Sequence, residues 1–154
     1  TQPDRNLFFN PDKSIQRLRS AVTDTVSTYV SNLPVSEQAH PFLDGKPDQV
    51  QYSGVWSVRL KEQGYHTTHT HVLGWLSSAI YIALPSADEL GAPPAGYLSF
   101  GTPPPELGLT LEPYKQVQPK VGKLVLFPSY TWHGTVPFAS GERLSVAFDV
   151  MPRT

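Results

Sequence analysis

The stretch Glu142-Arg143-Leu144-Ser145-Val146-Ala147-Phe148-Asp149-Val150 alternates without a break. Leu144, Val146, Phe148 and Val150 fall on one side of an extended chain, and Arg143, Ser145, Ala147 and Asp149 on the other. Such a strand lays an apolar face on a core and turns a sparse, polar face to something else. Working back from it, residues 131–138, 123–127 and 96–100 read as short strands, and the apolar run 73–84 ends at Pro85. Further back, Trp56, Val58 and Leu60 alternate with Ser57 and Arg59. Before residue 50 the period changes. Ile15, Leu18, Val22, Val26, Tyr29, Val30 and Leu33 recur mostly at steps of three and four, which predicts a helix with Asp12 as N-cap and Pro34 as its stop. Residues 36–50 have no period and read as an irregular connection. Residues 87–94 and 102–113 read as Pro-rich loops that could flank a mouth. One helix followed by seven or eight strands predicts a mainly β fold, a two-sheet sandwich or jelly roll with the N-terminal helix packed on one sheet.

Composition narrows the function. The 154 residues suit one domain over 1–154, with a helical part at about 12–33 and a β core at about 50–152. Twelve basic residues against 13 acidic ones leave no field to recruit nucleic acid or anionic lipid. Zero Cys excludes disulfides, thiolate metal sites and a Cys nucleophile. Sixteen Pro and 11 Gly suit short strands joined by turns. No apolar run approaches the roughly 18 residues of a membrane span, and no signal peptide is visible, so the chain reads as cytoplasmic. Its start at Thr1 reads as a piece of a longer protein.

The chemistry gathers at the histidines. There are five, and His66, His69 and His71 fall in the run Gly64-Tyr65-His66-Thr67-Thr68-His69-Thr70-His71. Residues two apart on a strand share a side, so His69 and His71 can chelate one ion, whereas His66 has the opposite parity. The plainer reading is a polar, exposed turn. A third ligand must come from elsewhere, and His133 stands directly after an apolar strand. Ten residues later Arg143 opens the alternating strand on its small-residue face. There a planar guanidinium suits bidentate capture of a carboxylate; the competing reading is a surface ion pair with Glu142 or Glu112.

His-x-His, a distant His and Arg-x-Ser in this order resemble the iron and 2-oxoglutarate-dependent oxygenases of double-stranded β-helix fold. More narrowly, the chain is similar to the 2-oxoglutarate/Fe(II) oxygenase domains found at the C-terminal end of tetratricopeptide-repeat proteins. The matching stretches are 54–60, 64–71, 74–81, 124–134 and 137–149, with a weaker likeness at Asn6-Leu7-Phe8. The resemblance implies a cupin-like double-stranded β-helix holding Fe(II) through His69, His71 and His133, with His66 in reserve. The wider superfamily places a carboxylate where this chain has His71. Asp149 is set aside as its substitute, because it lies six residues beyond Arg143, about 20 Å along an extended strand.

The same resemblance implies that Arg143 pairs with the distal carboxylate of 2-oxoglutarate, helped by Ser145 and by the hydroxyl of Tyr81. Tyr81 reads equally as a core aromatic. Trp75 and Trp132 read as packing residues, and no catalytic residue is assigned beyond the metal ligands. The implied activity is oxidative decarboxylation of 2-oxoglutarate to succinate and CO2, coupled to hydroxylation of a C–H bond. The partners implied are a small-molecule cosubstrate and an attached or cooperating repeat domain. Two other readings stay open. One is a cupin-like three-His dioxygenase that does not use 2-oxoglutarate; the other is a non-catalytic jelly-roll module that binds a metal or ligand.

Overall fold

A computed structural model describes residues 6–36, 39–61 and 64–153. Helix α1 covers Lys13–Asn32. The Asp12 side chain accepts a hydrogen bond from the backbone N–H of Ser14 at 2.8 Å, satisfying one of the free donors of the first turn. The chain turns extended at Leu33, just before Pro34. Val22, Val26 and Val30 form the buried stripe of α1, and burying each contributes roughly 1.5–3 kcal/mol.

Seven strands follow: β1 (Tyr52–Lys61), β2 (Leu76–Ala83), β3 (Leu98–Phe100), β4 (Lys115–Val117), β5 (Leu124–Pro128), β6 (His133–Thr135) and β7 (Glu142–Val150). They form two antiparallel sheets, ordered β1-β7-β2-β5 and β4-β3-β6. This is a jelly roll of the double-stranded β-helix kind, with α1 on the outer face of the larger sheet.

Strand β7 lies inside the larger sheet, paired with β1 on one side and β2 on the other. Its alternation therefore separates two environments. Val146, Phe148 and Val150 join Val55, Leu76 and Ile80 against the valines of α1. Arg143, Ser145 and Asp149 are buried as well, on the opposite side, where the second sheet faces them. Phe42 and Trp75 close one end of the helix–sheet core. Their rings stack with centroids 4.5 Å apart, and the indole N–H donates to Phe42 O. Between the sheets the apolar filling is small, with Leu98, Phe100 and Phe127 at its centre. Buried polar residues share that space, among them His133, Thr135, Arg143, Ser145 and Asp149.

Three expectations are refined. The strand predicted over 131–138 shrinks to His133–Thr135. Residues 87–90 form a single helical turn, α2 (Ala87–Leu90), held by a capping box: Ser86 Oγ accepts from Glu89 N–H, and the Glu89 carboxylate accepts from Ser86 N–H at 2.9 Å. Strand β4 was not predicted, because Lys-Gln-Val is an edge too short and too exposed to alternate. No helix among the described residues is long and apolar enough to cross a membrane.

Candidate functional site

After β1 the chain returns as an extended strip along β6. The backbone N–H of His69 donates to His133 O and that of His133 to His69 O, both at 3.1 Å. Thr135 N–H donates to His66 O at 3.1 Å and His71 N–H to Ser129 O at 2.9 Å. The strip thus extends the smaller sheet beyond β6. Gly134 permits this approach, since a Cβ there would lie 2.9 Å from His66 O and 3.2 Å from Thr68 Oγ1.

This pairing places His69 and His71 on one side of the strip, next to His133. One ring nitrogen from each of the three lies within 4.8 Å of the others, and the Nε2 atoms of His69 and His71 are 3.1 Å apart. The opposite ring edges fix the tautomers. His69 Nδ1 lies 2.7 Å from Thr67 O and His133 Nδ1 lies 3.0 Å from Thr131 O. A carbonyl oxygen only accepts, so both Nδ1 atoms carry the proton and both Nε2 atoms offer lone pairs. His71 Nδ1 faces both oxygens of Asp149, at 2.7 and 2.8 Å. Three imidazoles oriented by acceptors on their far edges are the arrangement of a metal site, where the outer hydrogen bond sets the tautomer and aims the ligand. Lone pairs converging at such distances repel one another without a cation between them, so the donor set fits a divalent ion.

Burial pushes the His133 pKa down to about 4, and the hydrogen bond to Thr131 O only partly opposes it. A ring that stays neutral at physiological pH is ready to ligate. His66 is also held near 4, first by burial and then by the positive charge of Arg143. Its ring centroid is 6.2 Å from that of His69, and it is not part of the three-His group. His40 lies elsewhere, with Nδ1 accepting from Phe42 N–H at 3.2 Å.

Arg143 is 3% exposed. Its Nη1 donates to Gly96 O at 3.3 Å and its Nη2 to Thr135 Oγ1 at 3.2 Å, while the buried Nε has no partner. The rings of Tyr81 and Phe138 stand 5.9 and 5.8 Å from its guanidinium carbon. Tyr81 pairs across the sheet with Ser145, which is buried on the Arg143 face of β7. Arg143, Ser145 and Tyr81 therefore lie together between the sheets. The surface ion pair weighed for Arg143 does not form: Glu142 binds Arg59 instead, at 2.6 Å. Among the described residues no carboxylate pairs with Arg143, so a buried cation faces the inter-sheet space with donors to spare. Burial lowers its pKa.

Asp149 was the residue missed. It lies beside His71, and Ser77 Oγ donates to its Oδ1 at 2.7 Å. Ser77 Oγ is also 2.8 Å from Ser129 Oγ. The length of about 20 Å along β7 separates Asp149 from Arg143, not from the histidines, because His71 reaches Asp149 from the opposite sheet. The signal was present in the alternation, which put Asp149 on the polar face. Trp75 packs in the core as expected, and Trp132 is half-buried beside His133.

Comparison with known proteins bears on this geometry. The chain resembles the solved structure of an oxidoreductase of the 2OG-Fe(II) oxygenase family from Burkholderia pseudomallei (TM-score 0.50, 15% identity, covering 67% of this chain and 45% of that one). It resembles the viral collagen prolyl hydroxylase of Paramecium Bursaria Chlorella virus-1 in its 2OG complex (TM-score 0.51, 17% identity, 87% and 73%). It also resembles HygX from Streptomyces hygroscopicus with nickel and 2-oxoglutarate bound (TM-score 0.55, 13% identity, 88% and 64%). At these identities the likeness is one of fold, and the chain spans less than half the length of the Burkholderia protein. No curated protein matches. The profile of the family described as "Putative 2OG-Fe(II) oxygenase" matches residues 54–149, from the start of the β core to the last buried polar residue of β7. With well over half its length matched, the chain belongs to the 2OG-Fe(II) oxygenase family.

Proposed function

We propose that this protein is a 2-oxoglutarate-dependent oxygenase that hydroxylates a C–H bond, with His69, His71 and His133 holding Fe(II) and Arg143 holding the cosubstrate. The observation that carries the proposal is Arg143. It is a buried guanidinium with a free Nε and no carboxylate partner among the described residues, anchored to the strand that bears His133. Leaving a charge in that state costs several kcal/mol unless an anion arrives. A dicarboxylate with one end on Arg143 and its keto-acid end toward the three imidazoles answers both sites at once.

Fe(II), when bound, supplies O2-dependent decarboxylation of 2-oxoglutarate to succinate and CO2, with one oxygen atom going to succinate and the other to the substrate C–H bond. The chain's own residues do the rest. His69, His71 and His133 present lone pairs to one point, and the acceptors at Thr67, Thr131 and Asp149 hold their orientation. Arg143 and Ser145, with Tyr81 over the guanidinium, fix the cosubstrate's far end and keep water from it. His66, neutral at physiological pH, stays between the two without adding charge.

The test is anaerobic addition of 2-oxoglutarate to the Fe(II)-loaded protein. The expected outcome is saturable binding with the visible band of a chelated keto acid, and succinate release on admitting O2. Full iron binding with no 2-oxoglutarate binding would overturn the proposal in favour of a three-His centre serving a different acid.

A further inference from the structure

The three direct ligand candidates are all imidazoles, so the centre holds no negative charge of its own. A divalent ion ligated by neutral rings keeps its full charge, which weakens its retention between the sheets. The outer partners of the rings are not equivalent. His69 and His133 turn Nδ1 to backbone carbonyls, of Thr67 and Thr131. Only His71 turns it to a carboxylate, and both oxygens of Asp149 lie within 2.8 Å.

That carboxylate is built in. Asp149 is 9% exposed and lies opposite Ser77 in the β2–β7 ladder, where the Ser77 hydroxyl donates to Oδ1 at 2.7 Å. Among the described residues no Lys or Arg pairs with it, and His71 Nδ1 faces it instead. A Cβ on Gly74 would stand 2.6 Å from Ser129 Oγ and 3.3 Å from Asp149 Cβ, so a glycine leaves room for the network. A buried carboxylate held this closely, with one imidazole N–H as its partner across the sheets, is placed to act on that ring.

Resting on the assignment of His69, His71 and His133 as metal ligands, we infer that Asp149 is the positioning residue that supplies the centre's negative charge through His71, in place of a carboxylate ligand. Hydrogen bonding from Nδ1 to a carboxylate raises the basicity of Nε2, and loss of such a partner typically lowers metal affinity about tenfold to hundredfold. The substitution Asp149→Asn keeps the shape and an acceptor oxygen but removes the charge.

The experiment titrates Fe(II) anaerobically, and Co(II) as a second probe, into the whole chain and its variants. It also reads the Fe(III)/Fe(II) potential and the melting of the metal-free protein. H69A and H133A test the centre itself; if either binds metal like the wild type, the three-His reading fails. With that reading intact, D149N is expected to lose about tenfold to hundredfold in affinity and to raise the potential, because the lost charge favoured Fe(III). H71D supplies the second arm. Once a carboxylate occupies the ligand position, Asp149 faces a like charge, so D149N in that background should leave affinity unchanged or improve it.

Wild-type affinity and potential in D149N would overturn the inference, as would an equal loss in both backgrounds, which would assign Asp149 to packing alone. Should D149N fail to fold, S77A withdraws a hydrogen bond from the same carboxylate and leaves its charge. Affinity kept within about threefold in S77A supports the inference, and a loss as large as that in H71A overturns it.

Discussion

Thr135 Oγ1 accepts a hydrogen bond from Arg143 Nη2 at 3.2 Å. Thr135 also stands two residues from His133 on β6, and two residues of strand span about 7 Å on a common face. Arg143 and the three-histidine group are thus spaced by one short strand. β6 in turn pairs with β3 on one side and with the His66–His71 strip on the other. The spacing of Thr135 from His133 is therefore set by backbone pairing.

Arg143→Lys keeps a charge but loses the planar fork. Its affinity for 2-oxoglutarate should fall about tenfold to hundredfold, the 1.5–3 kcal/mol of a charge-assisted pair, while Fe(II) binding persists. Arg143→Met should abolish 2-oxoglutarate binding and melt no lower than the wild type without cosubstrate, because it removes a buried charge with no counter-ion. Calorimetric titration and thermal melts read both. Wild-type affinity in either variant would move the carboxylate site elsewhere.

Thr135→Val preserves the β-branched shape and removes only the acceptor of Arg143 Nη2. The expected loss is about 0.5–1.5 kcal/mol, roughly twofold to tenfold in 2-oxoglutarate affinity, with metal affinity unchanged. A loss of metal affinity instead would mean that Thr135 positions β6 rather than the guanidinium.

Periodicity made the scaffold legible wherever an element lay half in the core. The steps of Val22, Val26 and Val30 and the alternation of Val146, Phe148 and Val150 describe two surfaces that meet. The parity of His69 and His71 was legible for the same reason. The polar face of Asp149 was legible too, but its pairing with His71 was not, because that partner lies 78 residues away and distance along one strand is silent about what crosses from the other sheet. Strand β4 was invisible because an exposed three-residue edge buries too little to impose a pattern. The alternation favoured an inward Arg143 over a pair with Glu142, and in the structure Arg143 is buried while Glu142 binds Arg59.

The metal-free protein should lose stability on acidification in a defined window. His133 and His66 titrate near 6.5 in the unfolded chain and near 4 in the folded one. Between these values the unfolded chain binds protons that the folded chain refuses, so stability is full above pH 6.5 and falls as the pH drops toward 4. The contribution of His133 is on the order of 3 kcal/mol, and that of half-buried His66 is smaller. Urea unfolding of chelator-treated protein, compared with His133→Asn at each pH, isolates the effect from the carboxylates. Parallel curves for the two proteins between pH 6.5 and 5 would count against a neutral, buried His133.

Gly134 tests whether the metal candidates depend on the sheet that carries them. It sits in β6, and a Cβ there would press on His66 O at 2.9 Å and on Thr68 at 3.2–3.3 Å. Two of these three contacts are with backbone, which cannot swing aside like a side chain. Gly134→Ala should therefore push the strip a few tenths of an ångström off β6. The strip carries His69 and His71, and β6 carries His133, so the displacement separates two imidazoles from the third. The helix–sheet core around Val26 and Phe148 lies on the other side of the larger sheet and is untouched. Metal affinity should fall on the order of tenfold, as when other ligand-orienting partners are disturbed, while the melting temperature of the metal-free protein moves by only a few degrees. Unchanged affinity would show that the strip finds its place by other contacts, and a large fall in melting temperature would make the strip part of the folding core.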